Sequence, residues 1–202
     1  MADSSRHGNN RYYTHMRLFI ALNLPKKERE RIHRAARRFR EGEMPVRWIE
    51  PEHFHVTVKF LGDVRREQIP LIEEAIGRVA TSTKRFVTEF GGFGAFPTIR
   101  RPRVIWLGLG ANPELRCLKQ DLDWVLGDME FEAETRSFHP HVTLGRADDK
   151  DGAGAFRGLD ELMADAEVSG EVKVHTLDLM HSQLSKGGAS YTVLASARLA
   201  TG

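Results

Sequence analysis

The stretch HFHVTVKFLG, His53–Gly62, has a near-copy further along the chain in HPHVTLGR, His139–Arg146. Both spell His-x-His-Val-Thr followed by an aliphatic residue. In the first, Phe54, Val56, Val58 and Phe60 alternate with His55, Thr57 and Lys59, which is the two-residue period of a β-strand. Strict alternation puts an imidazole and a hydroxyl side by side on one face, while Val, Leu and Phe anchor the other. One His-x-Thr triplet means little, because such triplets arise by chance. Two of them, each on an apolar-anchored strand, point to two strands that face one cleft.

Outward from these strands the pattern is mixed. RLFIALNL (Arg17–Leu24) is a dense apolar run ending at Pro25, a buried strand. Pro25 opens a helix with Ile32, Ala35, Ala36 and Phe39 on one face, and Gly42 closes it. After the first motif, Ile69, Ile72, Ile76 and Val79 recur at helical spacing. KRFVTEFGGFGAFP and RPRVIWLGL read as two strands, and Leu115, Leu118, Leu122 and Leu126 align on a third helix. An optional strand and then the second motif strand follow. Next come a polar loop ADDKDGAGAF, a short helix (Gly158–Ala166) and a closing hairpin turning at SKGGAS. The reading is an α+β chain with a largely antiparallel sheet, in two similar lobes, each with a helix followed by a His-x-Thr strand. Residues 1–15 read as a flexible tail and 16–202 as one bilobal unit.

Composition narrows the class. With 41% hydrophobic and 29% charged residues over 202 positions, the chain can bury a core without disulfides or metal staples. Its formal net charge of +2 is not that of a long-duplex binder, although RIHRAARRFR and IRRPR leave room for a local basic site. The single cysteine, Cys117, excludes an internal disulfide and reads as a packed thiol on a helix. There is no apolar run of about 18 residues and no secretory leader, so the expectation is a cytoplasmic protein without a membrane span.

The doubled motif carries the chemistry. Two imidazoles with a reference pKa of about 6.5 can serve as a general base and a general acid, one starting neutral and one protonated. Two hydroxyls can donate to an anion between them, and a phosphate reacting in line fits that frame. Neither motif contains a carboxylate, which argues against a hard divalent-cation site. Strict alternation places His53 and His139 on the same face, so a zinc site of the His-x-His kind is the rival reading. It leaves both threonines without a role, and His53 and His139 are read instead as loop or strand-start residues whose side chains are dispensable. Arg146 by alternation points away from the histidines unless a bulge at Gly145 turns it back.

The doubled pattern, together with RLFIALNLP, RWIEPEHFHVTVKFLGDV, GGFGAFPTIRRPRVIWLGL, FHPHVTLGR and GGASYTVL, resembles the 2H phosphoesterase superfamily. Within it, the chain resembles the RNA 2′,3′-cyclic phosphodiesterases, also called 2′-5′ RNA ligases, from Arg17 to about Leu199. The resemblance implies a pseudo-twofold pair of α+β lobes around a cleft. It implies hydrolysis of 2′,3′-cyclic phosphate ends to 2′-phosphomonoesters, with His55 as proton donor and His141 as proton acceptor. Thr57, Thr143 and Arg146 would bind the phosphate, and Phe60 would stack on the base, its competing role being core packing beside Val56 and Val58. No metal or other cofactor is implied. The partner would be RNA with a cyclic phosphate end, tRNA fragments among the candidates, or a small cyclic nucleotide; nothing in the sequence itself demands more than a monomer. The reverse reaction would join a cyclic end to a 5′-hydroxyl. A non-catalytic RNA-end binding module is the alternative, although binding alone needs neither imidazole pair. This sequence departs from relatives in MHSQL, with His181 and Ser182 in a region that can border the cleft, and in TLGR where TLAR is commoner.

Overall fold

A computed structural model describes residues 15–147, 152–185 and 188–201. The expected N-terminal tail up to residue 14, part of the polar loop after Ala147 and the tip of the last hairpin lie outside the described residues. His15, placed at the end of that tail from sequence, opens the first strand, β1 (His15–Asn23). Leu18 to Leu22 are all buried, because this strand is covered on both faces.

Pro25 then starts α1 (Lys26–Ala35), and a break at Ala36 separates it from α2 (Arg37–Glu41). Ile32, Ala36 and Phe39 are fully buried, whereas Ala35 is turned half out by the break. β2 (Val46–Trp48) and a 3-10 turn at Pro51–His53 lead into β3 (His55–Arg65), and α3 (Ile69–Ser82) follows. The hairpin β4 (Phe86–Thr98) and β5 (Arg101–Leu109) precedes α4 (Pro113–Gly127). Then come β6 (His141–Ala147), α5 (Leu159–Asp165), β7 (Glu171–Val174), β8 (Thr176–Ser185) and β9 (Gly188–Arg198).

This order departs from the sequence expectation in small ways. The optional strand before the second motif is absent, and residues 128–140 form turns and irregular chain. Two short strands stand apart from the neighbours that the sequence merges them with: β2, and β7, which pairs with β4 instead of extending the last hairpin. Cys117 is exposed on α4, not packed, since that helix turns Leu115, Leu118, Leu122 and Leu126 inward.

The strands form one sheet in the order β7-β4-β5-β6-β3-β1-β8-β9, with β2 added to β6. The order divides evenly about the β6–β3 seam. Lobe 1 holds β3, β1, β8 and β9; lobe 2 holds β6, β5, β4 and β7. The seam itself is one antiparallel pair, Val56 opposite Val142. Helices α3 and α4 back lobe 1. Helices α2 and α5 back lobe 2, where the Phe39 ring meets Phe93 edge-on at 4.9 Å. The apolar core lies between sheet and helices, and the opposite face along the seam carries the two motifs. The fold is therefore the expected α+β arrangement of two pseudo-symmetric lobes.

Candidate active site

Val56 opposite Val142 points to the core. One step away on either side, the antiparallel register sets His55 beside Thr143 and Thr57 beside His141, on the other face. The seam thus brings all four residues together. Both imidazoles are held the same way: Nδ1 of His55 lies 2.7 Å from the His53 carbonyl, and Nδ1 of His141 lies 2.6 Å from the His139 carbonyl. A carbonyl only accepts, so each Nδ1 carries the proton and each Nε2 is left free toward the cleft. The backbones of His53 and His139 therefore orient the site. His53 ends the 3-10 turn and His139 lies just before β6, as the strand-start reading expected.

Aromatic rings fix the imidazoles further. Tyr191 meets His55 nearly edge-on at 5.0 Å, and Phe19 lies 5.0 Å away. Around His141 the same part is taken by Phe96 at 5.3 Å and Trp106 at 6.1 Å. The side chains of His53 and His139 join these clusters, at 5.5 Å from Tyr191 and 5.4 Å from Trp106.

Alternation breaks immediately after each threonine, in the same way. Opposite β1, Ile20 pairs with Lys59 and Ala21 with Thr57, so Val58 is an extra residue. Opposite β5, Ile105 pairs with Gly145 and Trp106 with Thr143, so Leu144 is extra. Each bulge inverts the strand downstream. Phe60, which strict alternation assigned to the core with Val56 and Val58, is 59% exposed on the histidine face, 6.2 Å from Phe19. Arg146, which alternation pointed away, is exposed on the same face and close enough for its charge to act on both histidines. Phe60 and Arg146 are pseudo-twofold equivalents.

The bulges also decide what goes inward. Lys59 is fully buried behind β3, where its Nζ donates to Asp123 Oδ1 at 2.7 Å and to the Glu132 carbonyl at 2.8 Å. Its equivalent Gly145 is crossed by β2: a Cβ there would lie 2.5 Å from Val46 Cγ1 and 2.8 Å from Trp48 Cε3. The glycine marks a close approach of two strands.

Burial pushes the His55 imidazole down to about 4; the His53 carbonyl works against this, and the charges of His53, Arg146 and His141 reinforce it. Burial lowers His141 as well, opposed by the His139 carbonyl and reinforced by His139 and Arg146. The hydroxyls of Thr57 and Thr143 and the guanidinium of Arg146 have no hydrogen-bond or ion-pair partner among the described residues. Two hydroxyls, a guanidinium and two Nε2 atoms thus converge on one spot with no anion of the described residues to satisfy them. Chemically this is an acceptor for a small anion, flanked by two proton-transfer groups. No group of three or more His, Cys, Asp or Glu side chains is arranged to hold a metal among the described residues.

Sequence reasoning missed several residues around this centre. Tyr191 lay in the GGASYTVL stretch with nothing to mark its ring. Asp178, 4% exposed, was the lone charge in the apolar strand TLDLM, a signal that could have flagged an inward carboxylate. Phe19, Phe96 and Trp106 read as ordinary strand aromatics. His181, singled out as a departure, pairs with Leu18 and so lies on the face opposite Phe19 and Met180.

Comparison with known proteins agrees with this geometry. The family model described as LigT like Phosphoesterase matches residues 22–106. An RNA 2′,3′-cyclic phosphodiesterase of Aeropyrum pernix is 36% identical over 159 residues, covering 78% of this chain and 89% of that protein. One from Methanothermobacter thermautotrophicus is 31% identical, covering 91% of this chain and 99% of that protein. Among solved structures, a Thermus thermophilus protein superimposes with a TM-score of 0.76 at 26% identity, covering 91% of this chain and 98% of that one. Escherichia coli LigT complexed with 3′-AMP superimposes with a TM-score of 0.71 at 27% identity, covering 92% of this chain and 98% of that one. With both His-x-Thr strands paired across one seam, this chain belongs to the RNA 2′,3′-cyclic phosphodiesterase family of the LigT-like, 2H phosphoesterases.

Proposed function

We propose that the protein hydrolyses RNA 2′,3′-cyclic phosphate ends to 2′-phosphomonoesters. The observation that carries this is the pair of Nδ1-anchored imidazoles facing one anion-accepting spot. The cyclic phosphate lies between Thr57 and Thr143, which donate to its non-bridging oxygens, and Arg146 offsets its charge. His141 Nε2 takes a proton from water as the water oxygen bonds to phosphorus. The bond from phosphorus to the 3′-oxygen breaks, and protonated His55 gives its proton to that oxygen. The 2′-oxygen keeps the phosphate, and the two histidines exchange protons with solvent before the next turnover. Phe60, exposed beyond Thr57, offers its ring face to the terminal base. A 5′-hydroxyl in place of water gives a 2′-5′ linkage without ATP, because the strained ring supplies the driving force.

The test is turnover of a defined oligoribonucleotide with a 2′,3′-cyclic end, with product analysis. His55→Ala and His141→Ala should each lose about 10²–10⁴-fold in kcat with an unchanged circular dichroism spectrum. A 2′-phosphate product, and turnover that persists in EDTA, are expected. Full activity in either variant, or loss in EDTA restored by zinc, sinks the two-histidine mechanism. On the same proposal residues 16–202 are one bilobal unit that works as a cytoplasmic monomer, and size-exclusion chromatography against the 22.9 kDa chain mass checks its monomeric state.

A further inference from the structure

The pseudo-twofold axis relates the two His-x-Thr strands but not their surroundings. In lobe 2 the neighbour of Thr143 is Trp106. Its indole lies across Gly94, where a Cβ would come within 2.3 Å of Trp106 Cζ2. In lobe 1 the corresponding neighbour of Thr57 is Ala21, and the residue facing Ala21 on the next strand is Asp178. Tyr191 packs against the Phe19–Ala21–Met180 cluster there but leaves Asp178 lining an open space. A pocket of about 350 Å³ opens there, walled on one side by His55, His53 and Tyr191 and so continuous with the reacting centre. That volume is at the lower end of the range of small-ligand sites.

The pocket's polarity is specific. The Asp178 carboxylate at its base accepts from Asn23 Nδ2 at 2.8 Å, from Thr176 Oγ1 at 3.4 Å and from the Ser196 hydroxyl. These donors offset its charge and are themselves occupied by it. A ligand finds remaining lone pairs and hydroxyl edges beside the oppositely charged Arg29 and Glu52, a balanced lining that suits a neutral group with hydroxyl or amide donors. The pocket also lies on the far side of His55 from Phe60. Phe60 does not line the pocket, and its ring and that of His55 both neighbour Phe19, at 6.2 Å and 5.0 Å, so a base stacked on Phe60 has the His55 ring between it and the pocket.

We infer that this pocket receives the nucleoside immediately 5′ of the one that carries the cyclic phosphate. The inference rests on the cyclic phosphodiesterase reading, with the terminal base over Phe60, and it names the substrate class: an RNA chain end, not a free cyclic mononucleotide. It also fixes the polarity of the site. The chain occupies the lobe of His55, on the side of the leaving 3′-oxygen, while Trp106 closes the lobe of His141 down to the size of the attacking group.

The test compares kcat/KM for adenosine 2′,3′-cyclic phosphate with that for the adenylyl-(3′-5′)-adenosine bearing the same cyclic end. The wild type should favour the dinucleotide by about tenfold or more, the scale of one or two hydrogen bonds to buried polar groups. Ser196→Leu and Val193→Trp each fill the pocket from its wall and should bring that ratio close to one. Val193 is 48% exposed, so its variant folds even where the loss of the Ser196 donor disturbs Asp178. A wild-type ratio near one, or a ratio retained in the folded variants, overturns the subsite. Turnover of neither substrate by the wild type overturns the active-site reading, and this inference with it.

Discussion

His55 and His141 carry protons poorly in the free protein, because burial lowers both and Arg146 adds to the effect. A reaction that needs one of them protonated therefore runs best where protons are available. The kcat/KM profile should be a bell with its maximum below about pH 6.5, set by the pair together. The anionic substrate reverses part of the shift, so the limbs of the kcat profile should lie higher. Calorimetry of inorganic phosphate binding near that pH, in buffers of different ionisation enthalpy, should detect net proton uptake; none would contradict the burial argument. Stability carries the same signature. His55, lowered to about 4 in the fold and near 6.5 when unfolded, binds more protons in the unfolded chain between those values. Its contribution is present above the unfolded pKa and is lost as pH falls through about 4, roughly 3 kcal/mol in all. Urea denaturation from about pH 7.5 down to about pH 4 should show that loss in the wild type and much less of it in His55→Gln. At this scale the histidines and threonines were legible in the sequence, because strand periodicity and chemistry act on the same residues. The rings of Tyr191 and Trp106 were not, since nothing in a strand's spelling says which distant strand it will lie beside.

The bulges after Thr57 and Thr143 are the elements on which the site turns. Each lets a residue that alternation would hide or misdirect, Phe60 or Arg146, join the histidine face. Each needs something behind it: the ion-paired Lys59 in one lobe and the crossing of β2 over Gly145 in the other. Lys59→Ala removes two hydrogen bonds and should cost about 1–3 kcal/mol, since the Glu132 carbonyl loses its donor while Asp123 keeps Lys119 on both oxygens. Gly145→Ala forces Val46 or Trp48 aside, which should cost about 1–3 kcal/mol. It should also lower kcat/KM by displacing Arg146. Thermal melts and steady-state kinetics of the two variants check both effects. The alternation of HFHVTVKFLG pointed to the strand but not to the bulge, because a bulge is a property of two strands in register and only one is visible in a linear reading. The helices with regular apolar spacing, α3 and α4, were legible for the opposite reason: their pattern is local. The three-residue β2 and the four-residue β7 exist only through their partners β6 and β4.

The molecule as a whole is two similar lobes that the chain does not build one after the other. Lobe 1 takes β1 and β3 from the start of the chain, β8 and β9 from its end, and α4 from the stretch between two strands of lobe 2. The Lys59–Asp123 pair joins lobe 1 to a helix that arrives 64 residues later. Neither lobe is a contiguous segment that could fold by itself, so urea unfolding should be one transition, coincident by circular dichroism and by hydrogen exchange at the core amides of both lobes. Two separated transitions would show the lobes to be independent. The two-lobe plan was legible from the repeated motif; the interleaving was not, because strand order is set by long-range pairing. That interleaving also has a consequence for the protein's synthesis. Asn23 and its partner Asp178 are 155 residues apart, which at roughly 5–20 residues per second is a wait of about 8 to 30 seconds on the ribosome. Throughout that time β1, a strand buried on both faces in the finished fold, has one backbone edge without its partner, and nascent chains crowded on one messenger can meet edge to edge there.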